Sequence, residues 1–187
     1  MKIAAIMGSP RKRGNTDSLL DEFLRGVREG GGEAEKILIG ELDLQPCVEL
    51  LECEKTGRCP IEDEAESVFQ KLLSAEKIVI ASPIFFYGLP AQLKALIDRA
   101  QSLWSRRRLA DGQAEVSPKE AFTLLLGATR GEKLFDGALL TLKYFLQTMN
   151  CRITGKLLFR EIENKGDILK HPSACDEAFS AGRNFVQ

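Results

Sequence analysis

The run Lys77-Ile-Val-Ile-Ala-Ser-Pro83 constrains the fold more than any other stretch. A strand with one wet face alternates apolar and polar residues. An unbroken apolar strand is covered on both faces, as in a parallel sheet enclosed by helices. Four further strands are expected at 3–7, 34–39, 122–126 and 153–159. Between them, helical periodicity predicts a helix over 17–29, with Leu19, Leu20, Phe23, Leu24 and Val27 on one face, stopped by Gly30-Gly-Gly32. A second helix is expected at about 63–75, turning Val68, Leu72 and Leu73 inward. A third begins at Pro90 and carries Leu93, Leu96, Ile97 and Ala100 as its core stripe. Two more are expected over about 132–149 and from about 173 onward. Strands alternating with helices under right-handed crossovers specify a doubly wound α/β fold. With five strands, the flavodoxin-like order 2-1-3-4-5 is favoured.

The 187 residues suit one domain, 1–187, with no internal repeat or linker. A hydrophobic fraction of 44% and a charged fraction of 28% are those of a soluble globular protein. The formal net charge of −1 argues against general affinity for nucleic acid or acidic membranes. No apolar run approaches the roughly 20 residues that span a bilayer. The chain opens on a strand after a single cation, without a signal-peptide pattern, and five cysteines are an odd number for a disulfide framework. A cytoplasmic protein is expected.

The first strand runs into Gly8-Ser-Pro-Arg-Lys-Arg-Gly-Asn-Thr16, immediately before an amphipathic helix. Backbone N–H groups and the positive end of a helix dipole converge there, with hydroxyls and cations beside them. Ser9, Arg11, Gly14, Asn15 and Thr16 are the candidates for holding a phosphate monoester. The loop is neither a Walker A motif, since Asn15 stands where Lys is required, nor a Gly-x-Gly-x-x-Gly fingerprint. It also lacks the cysteine of a low-molecular-weight phosphatase loop. Its bland reading is a pair of turns and a helix cap.

The third strand ends in Ser82-Pro-Ile-Phe-Phe-Tyr-Gly-Leu-Pro90. In the doubly wound order this loop and the phosphate loop border one switch-point crevice. Pro83, Ile84, Phe85, Phe86, Tyr87 and Gly88 make it apolar and aromatic, suited either to covering a flat heteroaromatic ring or to packing at an interface. Thr129, Arg130 and Gly131, after the fourth strand, bring further backbone donors to the same crevice. Asp98 and Arg99 are read as pairing with neighbours. Residues 104–118, with Trp104 and Arg106-Arg-Arg108, are read as a polar excursion whose arginines form a solvated face rather than a site for a nucleotide 2′-phosphate. His171 is read as a loop residue before Pro172.

Together, Gly8-Ser-Pro-Arg11, Gly14-Asn-Thr16 and the run 82–99 resemble the NAD(P)H-dependent FMN reductase and iron–sulfur flavoprotein branch of the flavodoxin-like superfamily. That resemblance implies an FMN-dependent oxidoreductase with NAD(P)H as co-substrate. Ser9, Arg11, Asn15 and Thr16 would hold the FMN phosphate, residues 83–88 would lie along the isoalloxazine and ribityl chain, and residues 129–131 would approach the pyrimidine edge. Electrons would pass to a quinone, free flavin or other small or protein acceptor. An FMN-binding electron-transfer module serving a ferredoxin-like partner, without NAD(P)H turnover, is the alternative. Exposed aromatic loops imply a homodimer or tetramer.

The segment 40–66 departs from that branch. It has no clear periodicity, and its nine acids against two bases make it acidic. Iron–sulfur flavoproteins carry Cys-x2-Cys-x2-Cys followed by a fourth cysteine. Here Cys47, Cys53 and Cys59 match three positions and Leu50 takes the other. A [4Fe–4S] cluster normally takes four thiolates, so no cluster is expected and the cysteines are read first as loop residues. A three-cysteine site with an outside ligand, redox-active thiols and a zinc site stay open as readings.

Overall fold

The computed structural model describes residues 1–110 and 117–187. Its five strands are β1 (Lys2–Met7), β2 (Glu33–Leu38), β3 (Lys77–Pro83), β4 (Lys119–Leu126) and β5 (Cys151–Phe159). All pairings are parallel, in the order β2-β1-β3-β4-β5. The helices are α1 (Asn15–Glu29), α2 (Cys53–Thr56), α3 (Ala65–Ser74), α4 (Ala91–Arg99), α5 (Gln101–Leu109), α6 (Asp136–Gln147), α7 (Asp167–Lys170) and α8 (Ala174–Phe185).

Period-two alternation divides the strands between two cores. Ala4, Ile6, Ile78, Ile80 and Leu125 face α3 to α6. Ile3, Ala5, Met7, Val79, Ala81 and Leu124 face α1, α7 and α8. Both faces of β1 and β3 are therefore apolar, as their unbroken runs require. On the second face α1 and α8 approach until their backbones nearly touch. A Cβ added at Gly182 would run into the Phe23 carbonyl oxygen, and one at Gly26 into that of Phe179.

Three expectations need correction. The 104–118 excursion begins inside α5, a helix whose buried Ser102, Leu103 and Ser105 give it an inner face. Its remainder, 111–116, lies outside the described residues. The helix expected from 132 starts only at Asp136, because 132–135 form a turn with Leu134 N–H bonded to the Gly131 carbonyl. The cysteine segment is also more ordered than a loop without periodicity. It contains a 3-10 turn, Ile39–Glu41, and the single turn α2.

That segment is held by two arginines that helical periodicity does not mark as inward-facing. Arg99 is buried at the end of α4 and makes a two-pronged pair with Asp63, at 2.5 and 3.2 Å. It also donates to the carbonyls of Gln45 and Ile61, each at 3.0 Å, and to the Cys59 sulfur at 3.2 Å. Burial by itself would raise the Asp63 pKa. Hydrogen bonds from Arg99 and from the N–H groups of Gln45 and Ala65 outweigh it and leave the carboxyl below its ordinary value. From α5, Arg106 donates to the Gly57 carbonyl at 2.6 Å and pairs with Glu66.

Candidate flavin-binding crevice

The sheet order sets β1 beside β3, so the loops leaving their carboxyl ends are neighbours. Gly8 seals the junction: its N–H bonds the Ala81 carbonyl at 2.7 Å, and a Cβ on it would lie 2.6 Å from Leu93. Beyond Gly8 the chain turns through Arg13, whose φ of +52° is left-handed. The Ser9 hydroxyl accepts the Arg11 N–H at 3.1 Å, and the Asp17 carboxylate accepts the Arg13 N–H at 2.7 Å. Asp17 also pairs with Lys36 on β2. Its pKa lies below the ordinary value although burial pulls upward, because the Lys36 ammonium and the Arg13 N–H both favour the carboxylate. The loop is thus held in shape by the chain's own groups.

What this shape presents is a set of unused donors. The N–H groups of Asn15, Thr16 and Asp17 open α1 and have no carbonyl one turn back. Gly14 caps the helix with extended backbone and no side-chain cap. Thr16 is buried, and its hydroxyl makes no hydrogen bond among the described residues. Arg11 is exposed and has no acidic partner among them. Lys12 is drawn away by Glu41. Free N–H donors at a helix N-terminus beside an unpaired cation are the chemistry that receives an anion.

Asn15 is placed differently from expectation. Its side-chain amide donates to the Asn164 carbonyl and accepts from the Gly166 N–H, both at 2.8 Å. The side chain therefore ties the loop to the segment before α7.

The second loop closes as a two-residue turn. Phe85 and Gly88 exchange both backbone hydrogen bonds, at 3.0 and 2.9 Å, and Phe86 and Tyr87 occupy the centre with φ of +47° and +62°. Such turns normally take Asn or Gly there. Two bulky residues in the left-handed region cost about 1–2 kcal/mol each. Phe86 is nonetheless fully exposed, with Phe85 and Tyr87 half exposed beside it. Strain and apolar exposure together at one turn mark a surface kept for a ligand or partner. The hairpin leans on the third loop, where a Cβ at Gly131 would strike the Tyr87 hydroxyl.

Thr129 and Arg130 are exposed at that loop. The Arg130 guanidinium pairs with Glu161 at 2.6 Å, and Arg160 donates to the Gly131 and Glu132 carbonyls. These residues after β5, like Asn164 and Gly166, were not marked in the sequence. No motif announces them, since they act through backbone groups and long-range pairing.

Residues 1–134 match the family model described as NADPH-dependent FMN reductase. The chain belongs to that family. An iron–sulfur flavoprotein of Methanocaldococcus jannaschii is 41% identical over 103 residues, covering 55% of this chain and 53% of that protein. One of Methanosarcina thermophila is 35% identical over 100 residues, covering 54% and 52%. The chain thus spans about half the length of these first curated relatives. A Bacillus subtilis protein named as an NAD(P)H-dependent FMN-containing oxidoreductase is 28% identical and aligned over 95% of this chain and 94% of its own. Among solved structures, an NAD(P)H:quinone oxidoreductase from Methanothermobacter marburgensis superposes with a TM-score of 0.75 at 16% identity, covering 99% and 96%. That likeness carries the flavodoxin-like fold. In this FMN reductase family member, the loops after β1 and β3 leave adjacent strands, and those after β3 and β4 touch at Tyr87 and Gly131.

Proposed function

We propose that the crevice binds FMN and that the chain is an oxidoreductase drawing on NAD(P)H and delivering to a quinone, free flavin or other small acceptor. The observation that carries this reading is the adjacency of two prepared loops, a cradle with unused N–H donors and a strained aromatic turn, joined through the Gly8–Ala81 hydrogen bond. When bound, FMN supplies the hydride chemistry. Ser9, Arg11, Thr16 and the backbone of Gly14 and Asn15 grip its phosphate. Residues 83–88 would hold the ring and the 129–131 backbone would lie toward its pyrimidine edge. No acid or base side chain is assigned a proton.

The purified protein should be yellow, or become so with added FMN, and NADPH should bleach the flavin band under argon. Colourless protein that takes up no FMN refutes the assignment.

The acidic cysteine segment favours a second reading. Val48, Leu50 and Leu51 are exposed within a segment that carries nine acids against two bases, which suits docking of a ferredoxin-like redox partner. Flavin reduction only through such a partner, and not by NAD(P)H, selects the electron-transfer module. A homodimer or tetramer would cover Phe86, Trp104, Leu140 and Tyr144, all exposed in one chain. A monomeric mass by light scattering at micromolar concentration excludes both assemblies.

A further inference from the structure

Cys47, Cys53 and Cys59 all line one cavity of about 480 Å³, and Leu50 lines it with them. The names of the archaeal relatives imply an iron–sulfur cluster, and the residues present do not fit one. A [4Fe–4S] cluster takes four thiolates, and this cavity has three. Among the described residues, no three Cys, His, Asp or Glu side chains converge closely enough to hold a metal ion. The Cys59 sulfur is engaged by the buried Arg99. The remaining cysteines, Cys151 on β5 and Cys175 on α8, do not line the cavity.

The frame around the missing ligand is nevertheless built. Glu49 and Leu51, on either side of Leu50, have φ of +52° and +60°. Arg99 clamps both ends of the segment through Gln45 and Asp63. The three thiols line the cavity without converging on one point, so cluster loading would draw them together, and position 50, on the same anchored stretch, is where a fourth thiol is lacking.

We infer that Leu50 leaves the cysteine segment one ligand short of a cluster site, so that no iron–sulfur centre stands beside the flavin and the flavin alone stores the two electrons of one NAD(P)H. The second clause rests on the FMN reading; the first does not. A one-electron partner would have to draw on the flavin directly, and one NAD(P)H would fill the chain completely.

The test reconstitutes the full chain and its Leu50→Cys variant anaerobically with ferrous iron and sulfide, then removes the excess. Iron, acid-labile sulfide, absorbance near 400 nm and the EPR spectrum after dithionite are read for both. The wild type should retain less than about one iron and the variant about four, with equal FMN in each. Loading of both chains, or of neither, overturns the assignment to Leu50. Anaerobic titration of the wild type should end at one NADPH per flavin, and an endpoint beyond that overturns the two-electron capacity. Loss of FMN binding in both chains would sink the flavin reading alone, because the iron measurement does not depend on it.

Discussion

Removing the Asp17 carboxylate separates preorganisation of the cradle from its simple electrostatics. Asp17 lies in the first turn of α1 and accepts the N–H of left-handed Arg13 at 2.7 Å. A carboxylate so close to a phosphate repels it, and this one is offset by Lys36, which pairs with both Asp17 and Asp21. A hydrogen bond to a charged group contributes about 1.5–3 kcal/mol, and without it nothing described offsets the cost of the Arg13 conformation. If that energy shapes the loop, Asp17→Ala should weaken FMN binding about 10- to 100-fold, at 1.4 kcal/mol per decade. Asp17→Asn keeps an acceptor and should lose less. Flavin fluorescence quenching gives the affinities, and melting of the apoprotein separates local from global effects. Tighter FMN binding by either variant would refute the reasoning, since it would mean that repulsion outweighs positioning.

Phe86→Gly should relieve about 1–2 kcal/mol of left-handed strain and raise the melting temperature by a few degrees, while weakening FMN binding; a flavin affinity equal to wild type would remove Phe86 from the site. Gly182→Ala drives a methyl into the Phe23 carbonyl and should cost at least about 1–3 kcal/mol by overpacking, read as a lower midpoint in urea. Asp63 is depressed below its ordinary 3.8, so the stability it contributes is complete above that value and is lost as the pH falls through its lower folded value. Fluorescence of Trp104, the only tryptophan and part of the helix that packs on the cysteine segment, should therefore stay native down to about pH 4 and change below it. In Arg99→Met, which strands a buried carboxylate at a cost of about 3–5 kcal/mol, that change should move to higher pH.

The central strands β1 and β3 were legible because their apolar runs carry burial in their own residues, and the half-buried edge strands β2 and β5 followed from the alternation of strands with helices. Lys77–Pro83 was expected with the bounds it has. The cradle and the aromatic turn were legible for a related reason, since glycines, hydroxyls and aromatics cluster within a few residues of a strand end. Helix α5 was not. Its Trp104 and three arginines have no stripe, and its inner face is made by Ser102, Leu103 and Ser105. The partners of Asn15 were not legible either. Its place in the loop was readable, but its side chain answers to residues 149 positions or more away.

Local pattern alone determined the doubly wound sheet and the residue chemistry of the loops that leave β1 and β3, because period-two and helical alternation and turn residues act over a handful of positions. Tertiary structure decided which groups remain free to act. It committed Arg99 to Asp63, Arg130 to Glu161 and Asn15 to the turn before α7, and it brought three cysteines to one cavity with a leucine among them. Those outcomes depend on which distant segments meet, and a hydrogen-bonding side chain takes whichever partner the packed fold brings to it.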